Sequence, residues 1–417
     1  MGQDQSVPQA PNSGLGDKVL TYVTAPLAAC CSTRAPPRAS VLLTKKGELP
    51  VCNAAYKGDM HELQALAHLG PGRRLHVAEK DADENTPLHW AAVRGHERVT
   101  ELLVENGANV NAKNKDRDTP MHWACSGGNV EVIRMLMHAS ADPLAKNSDS
   151  TTPLHFAAAD GHSDAVRLLL SGMKGRKREG LNAANLDRDT PLHWVSSEGH
   201  VPVVRILLEE GADVNAANKD SNTPLLVACA EGHTDVVKLL LSSGANVQMC
   251  NKDQWGACHW ACASGRQDVM KALLLNGANP HAKTSKGETP LHFAAAKGDH
   301  VMCKILGALG VDMQTANTEG NGAIHLAAEA GHAEAVRVFL DKGVSADAPG
   351  ARRETPLIMA AAAGHVGVCE VLLAAGARLN ATNSEGNTAI HVASEKSQPA
   401  AVRCLLAGGA DARGRNA

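Results

Sequence analysis

The sequence predicts an all-α solenoid of stacked helix pairs, and two observations carry that prediction. A threonine-like position recurs at Thr86, Thr119, Thr152, Thr190, Thr223, Gly256, Thr289, Gly322, Thr355 and Thr388, and eight of the nine intervals are 33 residues. The ninth, Thr152 to Thr190, is 38. A fixed period of this length marks an array in which each unit contacts only its neighbours. The second observation is that one period holds a start signal, a stop signal and then a second apolar helix.

Residues 1–48 stand outside the period. They hold several prolines and little periodicity, a composition that predicts disorder. Met1-Gly2-Gln3-Asp4-Gln5-Ser6 fits the pattern for N-myristoylation of Gly2. One acyl chain binds a membrane weakly, so a second signal is needed. Palmitoylation of Cys30 and Cys31, beside Lys18, Arg34, Arg38, Lys45 and Lys46, is the candidate. The alternative is a plain disordered tail with idle cysteines. Leu27-Ala28-Ala29-Cys30 also resembles a bacterial lipoprotein cleavage box, but Asp4 and Asp17 lie where basic charge should lead.

Residues 49–85 read as a degenerate N-terminal capping repeat. Ala54 to Asp59 looks like the end of a first helix, and Leu63 and Leu66 like part of a second. Full repeats span 86–387. In Thr86-Pro87-Leu88-His89-Trp90-Ala91-Ala92, Thr86 is a good N-cap and Pro87 occupies the first helical position at no cost. Leu88 points inward, and the small Ala91 and Ala92 let helices approach. Gly95 supplies the left-handed residue that ends the helix. Val99, Leu102 and Leu103 follow at helical spacing, and Gly107 to Asn111 closes the unit. Thr119-Pro-Met-His-Trp, Thr152-Pro-Leu-His-Phe, Thr190-Pro-Leu-His-Trp and Thr289-Pro-Leu-His-Phe repeat the pattern.

On these residues the chain resembles the ankyrin-repeat family over about residues 49 to 417. The resemblance implies a β-turn or short β-hairpin tip followed by two antiparallel helices in each unit, stacked into a curved, L-shaped superhelix. The long interval places an insertion within Met173 to Gly180. Its four basic residues Lys174, Arg176, Lys177 and Arg178 read as a loop, either simply solvated or an anion or import patch. Residues 388–417 read as a C-terminal capping repeat, with Ser394, Glu395, Lys396 and Gln398 replacing the usual small residues. The family's tip glycine survives only as Gly287, Gly320 and Gly386. Arg117, Ser150, Arg188, Ser221, Gln254 and Arg353 replace it elsewhere, which leaves the tip geometry there open.

Composition narrows the function. The formal charge of -3 exerts no global pull on nucleic acid, and 2% aromatic content is too little for a base-stacking surface. Eleven irregularly spaced cysteines argue for a reducing, cytoplasmic compartment over a disulfide framework. No apolar run reaches the roughly 18 residues of a membrane span. Of twenty histidines, fourteen fall in two repeat slots: eight at His89, His122, His155, His193, His259, His292, His325 and His391, and six at His96, His162, His200, His233, His332 and His365. The resemblance implies hydrogen bonds between units there and no metal, even at Cys258-His259-Trp260-Ala261-Cys262. Trp90, Trp123, Phe156, Trp194, Trp260 and Phe293 share one slot and read as stacked core. Trp255 falls at a tip, where exposure as a partner hot spot competes with packing on the next unit. No nucleophile, phosphate-loop, kinase or paired-carboxylate motif is present.

The resemblance therefore implies no catalysis and no cofactor. It implies protein recognition through tip residues Asp116, Arg117, Asp187, Arg188, Asp220, Asp253, Trp255, Lys286 and Arg353. Concave first-helix residues Arg94, Asp160, Glu198, Glu231 and Lys297 complete the candidate surface. The alternating charge points to specificity by complementarity. An adaptor leads, with membrane tethering through Gly2 as its variant. A regulatory subunit or inhibitor of a partner enzyme is the alternative, and an enzyme in its own right is the third class.

Overall fold

A computed structural model describes residues 49–68 and 75–411. Gly2, Cys30 and Cys31, with everything expected of residues 1–48, lie outside the described residues. The chain divides into two compact units, whose described parts are residues 49–252 and 253–411. Each is a run of antiparallel helix pairs, first helix against first helix and second against second.

The recurrence of the sequence is the recurrence of the helices. First helices run Pro87–Arg94, Pro120–Ser126, Pro153–Ala159, Pro191–Glu198 and Pro224–Glu231 in the first unit. They run Ala257–Ser264, Pro290–Lys297, Ala323–Glu329, Pro356–Ala363 and Ala389–Glu395 in the second. Each begins at its threonine-like residue in extended conformation, for example Thr119 at φ -101° and ψ 164°. Each is stopped by a left-handed residue nine positions later, Gly95 at φ 71° being the first and Ser397 at φ 56° the last. The pair Pro50–Lys57 and Met60–His68, stopped by Gly58 at φ 75°, precedes them.

The second helices supply the floor of the core. Leu103, Leu136, Leu169, Leu207, Leu240, Leu273, Leu306, Phe339, Leu372 and Leu405 occupy one slot and are all at 0% exposure. Each such burial stabilises its unit by about 1.5–3 kcal/mol. Opposite them the alanine pairs, such as Ala91 and Ala92, are equally buried, because anything larger would push neighbouring first helices apart. Two polar residues intrude. Thr100 stands where Ile133, Val166 and Val204 stand in other units, and Ser196 stands in the alanine slot. Both are fully buried, and neither hydroxyl has a partner.

The tips take the simpler of their two expected forms, the β-turn, and one other expectation is corrected. No strand forms among the described tips, whose nearest approach to one is an isolated bridge, as between Ala316 and Gly322, with bridge residues also at Cys250 and Gly256. The reason is brevity, since only one backbone pair closes each tip. Asn114 donates to the Asp118 carbonyl at 3.1 Å and Arg117 to the Asn114 carbonyl at 2.9 Å. The insertion is also no plain loop. Residues Lys177–Leu181 form a short helix, and its basic residues are partly spent inside the fold. Arg176 grips Glu179 through both of its carboxylate oxygens, and Lys177 reaches Glu210 at 2.7 Å.

Candidate functional site

The candidate tips at residues 117, 188, 221 and 287 are four-residue turns whose fourth residue is left-handed. Arg117, Arg188, Ser221 and Gln254 all sit at φ 62°, close to Gly287 at 72°. The missing glycines therefore leave the geometry unchanged and cost strain instead, on the order of 1 kcal/mol for each side chain held there. Arg352 and Arg353 depart from this. Both are left-handed, at φ 51° and 59°, in a short 3₁₀ turn.

Neighbouring tips are zipped together. In the unit of residues 49–252, the N–H of Lys115 donates to the Asp83 carbonyl, Ser148 to Asp116, Leu186 to Asp149, Lys219 to Asp187 and Lys252 to Asp220, all within 2.7–2.9 Å. Lysine side chains reinforce three of these steps, Lys115 to Asp83, Lys219 to Asp187 and Lys252 to Asp220. These pairs are solvent-exposed, so they set register and add little stability. In the unit of residues 253–411, Ser285 donates to Asp253, Thr318 to Lys286 and Ser384 to Arg352.

Beneath the tips lies a polar ladder that sequence reasoning missed. Asn114, Asn147, Asn218, Asn317 and Asn383 each stand five residues before the threonine-like position. Each turns its Oδ1 back onto its own tip, as Asn147 does to the N–H groups of Asp149 and Thr151. In the first unit the Nδ2 groups reach the preceding repeat: Asn114 to Asn85, Asn147 to Asp118 and Asn218 to Asp189, at 2.8–2.9 Å. The signal was available as a 33-residue recurrence of asparagine. At Trp255 an aromatic replaces the Asn or Asp of this ladder. Trp255 is half-buried, not exposed, with its ring 4.6 Å from Trp260 and 4.3 Å from Phe293.

The histidines fasten repeat to repeat. The N–H of Thr119 donates to His122 Nδ1 at 3.0 Å, and His122 Nε2 donates to the Thr151 carbonyl at 3.1 Å. His89, His155, His193, His259, His292 and His325 make the same pair of bonds. That network places the single ring proton on Nε2 and leaves no lone pair open to a metal. Burial pushes His122 down to about 3 and His89, His155, His259 and His292 to about 4. The second histidine slot bonds the opposite way, with His96 to the Tyr56 carbonyl, His162 to Ser126, His233 to Ser197 and His332 to Ala296. Burial also pushes the thiols of Cys258, Cys303 and Cys369 up to about 12, which makes them poor nucleophiles.

The expected aromatic core is present. Trp90 meets Trp123 edge to face at 5.0 Å, and Phe156 meets Trp194 at 6.1 Å. On the outer turns of the first helices, Arg94 lies over the Tyr56 ring at 5.0 Å, and Asp160 accepts from Ser126 Oγ at 2.9 Å. Desolvation raises the Asp160 carboxyl. Desolvation, with repulsion from Glu198, raises Glu231.

The structure thus places Asp116, Arg117, Asp187, Arg188 and Asp220 on one unit's tips, and Arg94, Asp160, Glu198 and Glu231 on the same unit's first helices. Asp253, Trp255, Lys286, Arg353 and Lys297 belong to the other unit. All are exposed except Trp255 and Glu231, which are half-buried.

A family model described as ankyrin repeats (3 copies) matches in overlapping segments from residue 28 to residue 416. Among curated proteins, the chain is 40% identical over 65 residues to the human 26S proteasome non-ATPase regulatory subunit 10, covering 15% of this chain and 26% of that protein. It is 39% identical over 59 residues to a probable E3 ubiquitin-protein ligase of Oryza sativa subsp. japonica, covering 14% and 12%. It is 36% identical over 64 residues to an ankyrin repeat domain-containing protein 13C of Danio rerio, covering 15% and 12%. The chain thus spans about a quarter or less of each relative's length.

Proposed function

Because the chain belongs to the ankyrin-repeat family, we propose that it is a non-enzymatic scaffold or adaptor that binds a protein partner through its tips and first-helix face. Ankyrin repeats bind proteins, and the observation that carries the reading is the match from residue 28 to residue 416. The tips suit the role physically. Backbone and asparagine bonds hold them rigid beneath, while Arg117, Arg188 and Arg353 project exposed charge at a strained residue. Rigid display lowers the entropy lost on binding.

The partner contacts are Asp116, Arg117, Asp187, Arg188, Asp220, Asp253, Trp255, Lys286 and Arg353 on the tips, with Arg94, Asp160, Glu198, Glu231 and Lys297 beside them. Trp255, half-buried beside Trp260 and Phe293, acts through the part of its ring that solvent reaches. Alanine at Arg117, Arg188 and Trp255 should reduce recovery of the partner from the native source. Unchanged recovery would remove the tips from the interface.

The Gly2 pattern supports tethering to a cytoplasmic membrane face, with Cys30 and Cys31 as the second signal. No described helix is long and apolar enough to cross a membrane. The mass of the N-terminal peptide tests the tether, and a free or acetylated Gly2 would overturn it. The second reading, a regulatory subunit of a partner enzyme, draws on the likeness to a proteasome regulatory subunit. It requires a stoichiometric enzyme partner whose turnover changes on binding.

A further inference from the structure

The sequence holds three Asn-Gly steps, Asn106-Gly107, Asn276-Gly277 and Asn321-Gly322. We propose that Asn106 and Asn276 are sites of spontaneous deamidation in the folded protein, and that the fold protects Asn321.

The chemistry is intramolecular. The deprotonated backbone nitrogen of the glycine attacks Cγ of the asparagine and closes a five-membered succinimide. The C–Nδ2 bond breaks and ammonia leaves. Water then opens the ring at either carbonyl, giving aspartate or isoaspartate. The net change is amide plus water to acid plus ammonia, with no redox step.

Access to that ring closure differs among the three sites. Asn106 and Asn276 cap the helices Glu97–Glu105 and Gln267–Leu275 at their C-terminal ends, and both asparagines and both glycines are exposed. A carbon built outward from Gly107 or Gly277 meets nothing within 4 Å. Helix-end bonds restrain the reacting groups. Asn106 Nδ2 donates to the Leu102 carbonyl at 2.8 Å and the Gly107 N–H to Val104 at 2.9 Å. Asn276 Nδ2 donates to Ala272 at 2.9 Å and the Gly277 N–H to Leu274 at 3.0 Å. Solvated helix ends fray, so these bonds open without unfolding the repeat.

Asn321 is 2% exposed. Its Oδ1 accepts from the Ala351 N–H at 2.8 Å, and its own N–H is held by Asn317 Oδ1. The Gly322 N–H donates to His325 Nδ1 at 3.1 Å. That ring is a weak base, because burial lowers its pKa and its Nε2 is tied to the Ala348 carbonyl. Closing a ring here requires the ladder itself to break.

Conversion has a structural consequence. A carboxylate at residue 106 loses the Nδ2 bond and places negative charge at the negative end of a helix. Isoaspartate also lengthens the backbone between residues 106 and 107. That pulls the Gly107 and Ala108 N–H groups from the Val104 and Leu103 carbonyls they now reach at 2.9 Å.

The test incubates the full chain in mildly alkaline buffer, folded and in urea, and maps peptides for aspartate and isoaspartate. The folded chain should convert Asn106 and Asn276 and spare Asn321, while urea should release all three. Conversion of Asn321 at the same rate in the folded chain overturns the proposal, as does the absence of conversion at Asn106 and Asn276. In Asn106→Gln the acid product should vanish from that peptide and persist at residue 276. An unchanged yield in that peptide would refute the assignment.

Discussion

Lowering the pH from 7 to 5.5 should weaken the array markedly, and the repeat histidines set the size of the effect. An unfolded histidine titrates near 6.5. Burial holds His89 and His155 at about 4 and His122 at about 3, and their Nδ1 atoms face backbone N–H groups that a second ring proton would repel. The folded state therefore keeps these rings neutral across this interval, while the unfolded chain takes up protons. Stability is fully present above about 6.5 and is lost as pH falls from there towards 4, because the unfolded state binds more protons in that window. For one ring the change between pH 7 and 5.5 is about 1 kcal/mol, so these three together cost roughly 3–4 kcal/mol, and His193, lowered by the same burial, adds in the same direction. The assay is urea unfolding followed by far-UV circular dichroism at the two pH values, with tryptophan fluorescence reporting Trp90 and Trp123. The control is His122→Gln, which should lose stability at pH 7 yet show a pH dependence smaller by about 1 kcal/mol. A wild-type midpoint that does not fall at pH 5.5, or a His122→Gln variant with the full wild-type dependence, would refute the reasoning.

Thr100→Val should stabilise the protein by about 1 kcal/mol, because it replaces a fully buried hydroxyl without a partner by a methyl of the same shape. Ser196→Ala should do the same to a smaller degree, and a lower urea midpoint in either variant would mean that the hydroxyl has a bond. Gly322→Thr restores the helix cap at φ -84°, where the new Cβ would lie 3.6 Å from His325 Nδ1 and the Thr315 carbonyl. It should add about 1 kcal/mol by capping and by restricting the unfolded chain, and a fall in the thermal midpoint would show a clash. Leu136→Ala should cost about 2–5 kcal/mol and melt its own and adjacent repeats first, which hydrogen exchange would locate.

The sequence by itself determined the repeat, the starts and stops of its first helices and its histidine fastenings. Thr119, Pro120 and Gly128 act within a single turn of helix, so their roles follow from local backbone chemistry. His122 and Trp123 are read through the period, because a fixed spacing makes each contact recur. What only the tertiary structure decided lies between units or depends on competing neighbours. Trp255 reads equally well as an exposed tip or a packed one until Trp260 and Phe293 are seen beside it. Lys177 reads as part of a basic patch until Glu210, 33 residues away, takes its charge. Arg117 reads as a doubtful turn residue until the Asn114 carbonyl and the bonded neighbouring tips are seen to hold it left-handed against its preference. In each case the deciding energy belongs to a contact made across sequence distance, which the local chain does not encode alone.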